Sequence, residues 1–292
     1  MSSVANNPQA WWEDDRRLRI SENTINDVRR ALRPLLGVRL NVLNLPRAVL
    51  SEFEPSQVGT IVGTLVDACL PQLHLIVADP TPLKKVGLAK HAGILKDREG
   101  YPDFMHDATG TRLELKGLYV DPIEIDMKRP ATKREPSARL TQKVTVKNVD
   151  PARDVLLVLA YQLRANQGNF FAPEIIDFDI FSMIDCIEAR DRRLLKSGRW
   201  FGHFETPVIL SGFGRKRLRS GLVVDTSAYG RKKSEARHYN EDTNFGKLQR
   251  IPHPGLRSFL RKHSIPVEES AEVKEVLREE RAAKAVSRVR KQ

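Results

Sequence analysis

A chain of 292 residues can bury a full core, and 40% apolar with 29% charged residues excludes wholesale disorder and a fibrous architecture. The excess of 49 Lys and Arg over 37 Asp and Glu leaves a formal charge of +12, which favours a polyanionic partner through counterion release. The longest apolar run, Val155 to Tyr161, is too short to cross a bilayer, so no membrane association is expected.

In chain order, Trp11 and Trp12 precede Glu13, Asp14 and Asp15, without the basic flank and apolar stretch of a secretory signal, and a cytoplasmic protein is expected. Ile25, Val28 and Leu32 recur at helical spacing after a cap at Ser21, and Pro34 marks the end of that helix. A second helix follows, capped by Ser56, with Val58, Ile61, Val62, Leu65, Val66 and Cys69 on one apolar face up to Pro71. Leu73 to Val77 reads as a short buried strand. From Tyr101 the apolar period changes to two, and Leu118 to Ile125 and Val155 to Leu163 read as strands, the second buried on both faces. Ile176, Phe178 and Ile180 alternate with Asp177 and Asp179 as in a half-exposed strand. A helix is expected through Glu188 to Lys196 with Gly198 at its end, then short strands at Val208 to Leu210 and Leu222 to Val224. Helices, then strands, then mixed elements predict an α/β or α+β layer fold. One main domain over 1–265 and a charged helical or disordered tail over 266–292 are expected. Cys69 and Cys186 sit in apolar periodic segments and read as reduced core residues.

The segment that carries chemistry runs from Tyr101 to Gly117. Asp107-Ala108-Thr109-Gly110 suits a tight turn. If Asp107 and Gly110 close it, counting back along both arms sets Asp103 across from Glu114, about 5 Å away on one face, with Lys116 beside them. Leu113 and Leu115 then point into the core, and a bulge at Gly110 would shift the register by one. Two adjacent carboxylates repel unless a cation or a proton lies between them, and oxygen ligands of this kind suit Mg²⁺. An ammonium beside that cation can orient the attacking water and stabilise a phosphorane oxyanion. Phosphodiester hydrolysis is the chemistry this combination serves.

Pro102-Asp103, ten residues, then Glu114-Leu115-Lys116 resembles the motif of the PD-(D/E)xK nucleases, matched in both halves. The resemblance implies a restriction-endonuclease-like fold, a mixed β-sheet flanked by helices. It also implies Mg²⁺ held by Asp103, Glu114 and the Leu115 carbonyl, with Lys116 assisting the water. An acid from an upstream helix often joins such a site, and Glu52, Glu54 and Asp67 are the candidates. The implied activity is Mg²⁺-dependent cutting of double-stranded DNA, most closely that of a type II restriction endonuclease acting as a homodimer. A structure-specific or repair nuclease, or a basic non-catalytic nucleic-acid-binding protein, are the alternatives.

Basic residues cluster in two segments that read as phosphate-contacting surfaces. Lys128 to Lys147 holds seven Lys and Arg against Glu135, with Lys128, Arg129, Lys133 and Arg134 foremost. Arg215 to Arg237 holds eight against Asp225 and Glu235, beginning Arg215-Lys216-Arg217. Asp126-Met127-Lys128 is a second acid-x-Lys, but it lacks a preceding Pro-Asp at comparable spacing. His106 lies closest to the site and reads as a surface residue at the hairpin edge.

Overall fold

The computed structural model describes residues 19–75, 77, 83, 86–94, 100–120, 127–128, 138–141, 144–146, 148–196, 200–201, 208–209 and 246–289. The chain forms two compact units. One comprises Ile20–Ala138 and Ala152–Ser182, and the other takes Met1–Arg19, Arg139–Pro151 and Met183–Gln292.

The first unit is a mixed α/β layer built on a six-stranded sheet. Its elements are α1 (Glu22–Leu32), β1 (Leu45–Pro46), α2 (Arg47–Leu50), α3 (Pro55–Cys69), β2 (Leu88–Lys90), β3 (Phe104–His106), β4 (Thr111–Tyr119), β5 (Asp154–Asn166) and β6 (Phe170–Ser182). The strand order is β1-β6-β5-β4-β3-β2. Only β4 and β5 run parallel, and every other neighbouring pair is antiparallel.

Local chemistry accounts for the helices. The Ser21 side chain accepts the Thr24 N–H at 3.1 Å and starts α1, which buries Ile25, Val28 and Leu32. Helix α3 is capped by Glu54, two residues before the Ser56 cap expected from sequence. Pro55 fits its first turn, and Glu54 and Gln57 exchange side-chain and backbone hydrogen bonds as a capping box. Its valines Val58, Val62 and Val66 enter the core against the sheet. The stretch Pro55–Leu75 is long and apolar enough for a membrane span by composition, and this packing uses part of that apolar surface. Close approach of α3 to β4 depends on Gly117: a Cβ there would stand 3.1 Å from the Tyr161 ring and 3.9 Å from Gly63 Cα. The Tyr161 hydroxyl then donates to the Gly59 carbonyl at 2.9 Å.

Leu70–Leu75 is a 3₁₀ turn rather than the expected buried strand. A short apolar run has no period that separates a strand from a helical turn. Strand β5 is buried from Asp154 to Leu163 on both faces, as its unbroken apolar run predicts. Along β6 the register shifts where Ala160 pairs with Asp177 and Tyr161 pairs with Ile175. Ile176 is the extra residue of that bulge, so it is only half-buried while Phe178 and Ile180 enter the core.

In the second unit, α4 (Met183–Lys196) begins five residues earlier than expected. Further on lie a two-stranded sheet of β7 (Trp200–Phe201) and β8 (Val208–Ile209), then α5 (Pro254–Lys262) and α6 (Ala271–Val289). The charged C-terminal segment is therefore helical from Ala271 to Val289. Val273 and Val276 are buried, and Lys196 of α4 reaches Glu275 and Glu279 at 2.8 Å each. Cys69 and Cys186 are free thiols, Cys186 being buried. Gly198, the strand expected at Leu222 to Val224 and the whole second basic segment, Arg215 to Arg237, lie outside the described residues.

Candidate active site

The site is built on the β3–β4 hairpin. Gly110 takes φ +64°, a left-handed conformation that glycine adopts without Cβ strain, and its N–H donates to the His106 carbonyl at 2.9 Å. The four-residue loop Asp107 to Gly110 is closed by His106 opposite Thr111. Met105 then faces Arg112, and Phe104 faces Leu113. This is the register expected from the turn, and no one-residue slip follows from Gly110. His106 departs from expectation. It is 3% exposed, bonded through Nδ1 to the Thr109 hydroxyl at 2.8 Å, and burial lowers its pKa. Its place at the turn-closing pair folds it under the loop.

The strand pairing ends at Phe104 opposite Leu113, and Asp103, the next residue out, lies close enough to Glu114 and Lys116 for its charge to act on both. The Asp103 N–H donates to the Leu113 carbonyl at 3.0 Å, and its Oδ2 accepts the Leu115 N–H at 2.7 Å. Strand β3 begins only at Phe104, so the Asp103 side chain takes the place of a strand neighbour for that N–H. Because a residue in a strand points its N–H and C=O to the same side, the Leu115 carbonyl faces this edge too. Leu113 and Leu115 lie in the core behind it.

Glu114 is 3% exposed. Its Oε1 accepts from Lys116 Nζ at 2.6 Å, whereas its Oε2 is buried with no hydrogen-bond partner among the described residues. Burial raises the Glu114 carboxyl to about 7; Lys116 opposes the shift, and Asp103 and Asp67 add to it. Burial likewise raises Asp103, against Lys116 and the Leu115 N–H. For Lys116, burial acts to lower the pKa, but Glu114 and Asp103 outweigh it and hold the group above its ordinary value. Lys116 is therefore an ammonium at neutral pH.

Of the three upstream acids, Asp67 is the one whose charge acts on Asp103, Glu114 and Lys116. It lies near the C-terminal end of α3 and pairs with Lys90 of β2 at 2.9 Å. Glu54 is committed to capping α3, and Glu52 is exposed on the turn before it. No group of three or more His, Cys, Asp or Glu side chains converges as a metal cage among the described residues. The ligand set on offer is two carboxylates and a main-chain carbonyl. The unpartnered Glu114 Oε2 beside a second, half-buried acid is where a small hard cation fits, since it would satisfy the orphan oxygen and relieve the repulsion.

Lys128 is exposed next to Met127, whose sulfur accepts from the Tyr119 hydroxyl at 3.2 Å. Asp126, Arg129, Lys133, Arg134, Arg215, Lys216 and Arg217 lie outside the described residues. Sequence reasoning missed Lys90, which sits 4.5 Å over the Phe104 ring while paired to Asp67. It also missed Tyr101, Arg112 and Asp154. Tyr101 had a signal, an aromatic residue directly before Pro102-Asp103, while Asp154 had none, because a parallel pairing across about forty residues leaves no local trace. No family model matches this chain, and no curated protein or solved structure matches it either.

Proposed function

We propose that this chain is a Mg²⁺-dependent endonuclease of the PD-(D/E)xK type, with a restriction-endonuclease-like fold, that hydrolyses phosphodiester bonds of double-stranded DNA. The observation that carries the reading is the hairpin register. It sets Glu114, with its orphan Oε2, and the charged Lys116 on one face of β4, and Asp103, just past the last pair and bonded to the Leu113 carbonyl and the Leu115 N–H, acts on both through its charge. Asp103, Glu114 and the Leu115 carbonyl would hold the metal. When bound, Mg²⁺ supplies Lewis acidity to the phosphodiester and neutralises charge on the departing oxygen.

The remaining work falls to the chain. Lys116, an ammonium held by Glu114, orients the attacking water and donates to the developing oxyanion; its raised pKa favours this over a role as general base. The Leu115 N–H fixes the Asp103 carboxylate in one rotamer. The net charge of +12 supports a nucleic-acid substrate, and Lys128 with its basic neighbours would track phosphates. Within this class the reading is a type II restriction endonuclease, acting as a homodimer with one site per strand.

Incubation of the purified protein with a supercoiled plasmid of known sequence and Mg²⁺ tests the proposal. Discrete fragments with mappable ends are the expected outcome. Smearing or junction-dependent cutting would move the chain to repair nucleases, and gel retardation without any cutting would reduce it to a non-catalytic binder.

A further inference from the structure

A buried polar network lies directly beside this site. Asp154, the first residue of β5, is fully buried, and both its oxygens are taken. Arg112 grips it with both prongs of its guanidinium, Nε to Oδ1 at 2.5 Å and Nη2 to Oδ2 at 2.6 Å. The Tyr101 hydroxyl donates to Oδ2 at 2.5 Å, and Tyr101 is itself 0% exposed. A carboxylate so deeply buried is tolerated only when its donors are fixed, which makes the network stiff. Two of its members are built into the sheet, since Arg112 and Asp154 are register partners on β4 and β5.

The third member comes from outside the regular strands. Tyr101 stands two residues ahead of Asp103, with Pro102 between them restricting the backbone. Beyond that link, Asp103 is held by its N–H to the Leu113 carbonyl and by its carbonyl, which accepts the His91 N–H at 2.9 Å. The segment that carries the first acid is thus tied at its upstream end to the start of β5. A ring packed for bulk alone needs no hydroxyl, whereas this hydroxyl makes a directional, charge-assisted bond.

Resting on the nuclease reading, we propose that Tyr101, Asp154 and Arg112 are positioning residues that set the Asp103 carboxylate for metal binding, without touching the metal or the substrate. The test measures Mn²⁺ binding to the DNA-free protein by electron paramagnetic resonance, alongside thermal melts. Tyr101→Phe removes one hydroxyl and keeps the ring. It is expected to weaken Mn²⁺ binding about tenfold, as losses of such supporting partners do. Val28→Ala, a core truncation on α1, is expected to lower the melting temperature and leave Mn²⁺ binding unchanged. If Tyr101→Phe does not fold, Arg112→Lys, which keeps the charge but loses the fork, takes its place with the same expected loss. Parent-like Mn²⁺ affinity in the folded variant, or an equal loss in Val28→Ala, overturns the positioning role alone. A parent protein that binds Mn²⁺ no better than Asp103→Asn overturns the nuclease reading and this inference with it.

Discussion

Glu114 concentrates the chemistry of the hairpin in one carboxyl group. Its pKa in the fold, raised mainly by burial, is about 7 against an ordinary 4.5. Between those values folding takes up a proton, so this group makes the metal-free chain less stable as pH rises through that window, with the loss complete above about 7. A cation competes with the same proton. Mg²⁺ affinity should therefore strengthen as pH rises through about 7 and fall about tenfold per unit well below it, for one displaced proton. Thermal melts with and without Mg²⁺ at pH 6 and pH 8 check this (about one unit either side of the pKa); a larger gain at pH 6 would contradict it. In Glu114→Gln, the Mg²⁺-dependent gain should vanish at both pH values. The identities of Asp103, Glu114 and Lys116 were legible from residue types and spacing. The orphan Oε2 and the choice of Asp67 over Glu52 and Glu54 were not, because burial and proximity arise only when α3 packs on β4.

At the scale of elements, the hairpin was readable because a four-residue loop ending in glycine fixes its own register. Gly110→Ala places a Cβ on a residue at φ +64°, which should cost about 1–2 kcal/mol. Urea denaturation at unchanged slope measures it, and a midpoint equal to the parent's would show that the turn tolerates other backbone geometry. The elements that escaped the sequence share a cause. Leu70–Leu75 presents a run too short to show a period, and the Ile176 bulge breaks an alternation that the sequence displays as continuous. The parallel pairing of β4 with β5 joins residues about forty positions apart, with no tight turn between them to fix a register.

For the whole molecule, charge and buried ion pairs operate on different scales. In the second unit, Arg190 is 1% exposed and pairs with Asp191 at 2.8 Å, while donating to the carbonyls of Thr141 and Val144 at 2.8 and 2.9 Å. Asp191 Oδ2 is buried without a hydrogen-bond partner among the described residues. Arg190→Met should then cost about 3–5 kcal/mol, because it leaves a buried carboxylate uncompensated. The double variant Arg190→Met with Asp191→Leu should recover much of that cost; a double variant no more stable than the single would contradict this. The net charge of +12 makes its own prediction for binding. Alanine at Lys128, Arg129, Lys133 and Arg134 should flatten the salt dependence of DNA affinity by about 0.9 units of slope per lost phosphate contact. An unchanged slope would remove those residues from the interface.

The central claim is that Asp103, Glu114 and Lys116 form one hydrolytic site, and single-turnover cutting of plasmid DNA in Mg²⁺ tests it most directly. Lys116→Ala should slow cutting by about 10² to 10³ with DNA affinity retained, as the loss of one oxyanion donor does. Asp103→Asn and Glu114→Gln should cost at least as much, and excess chelator should stop the parent. Cutting at the parent's rate by all three variants would contradict the account.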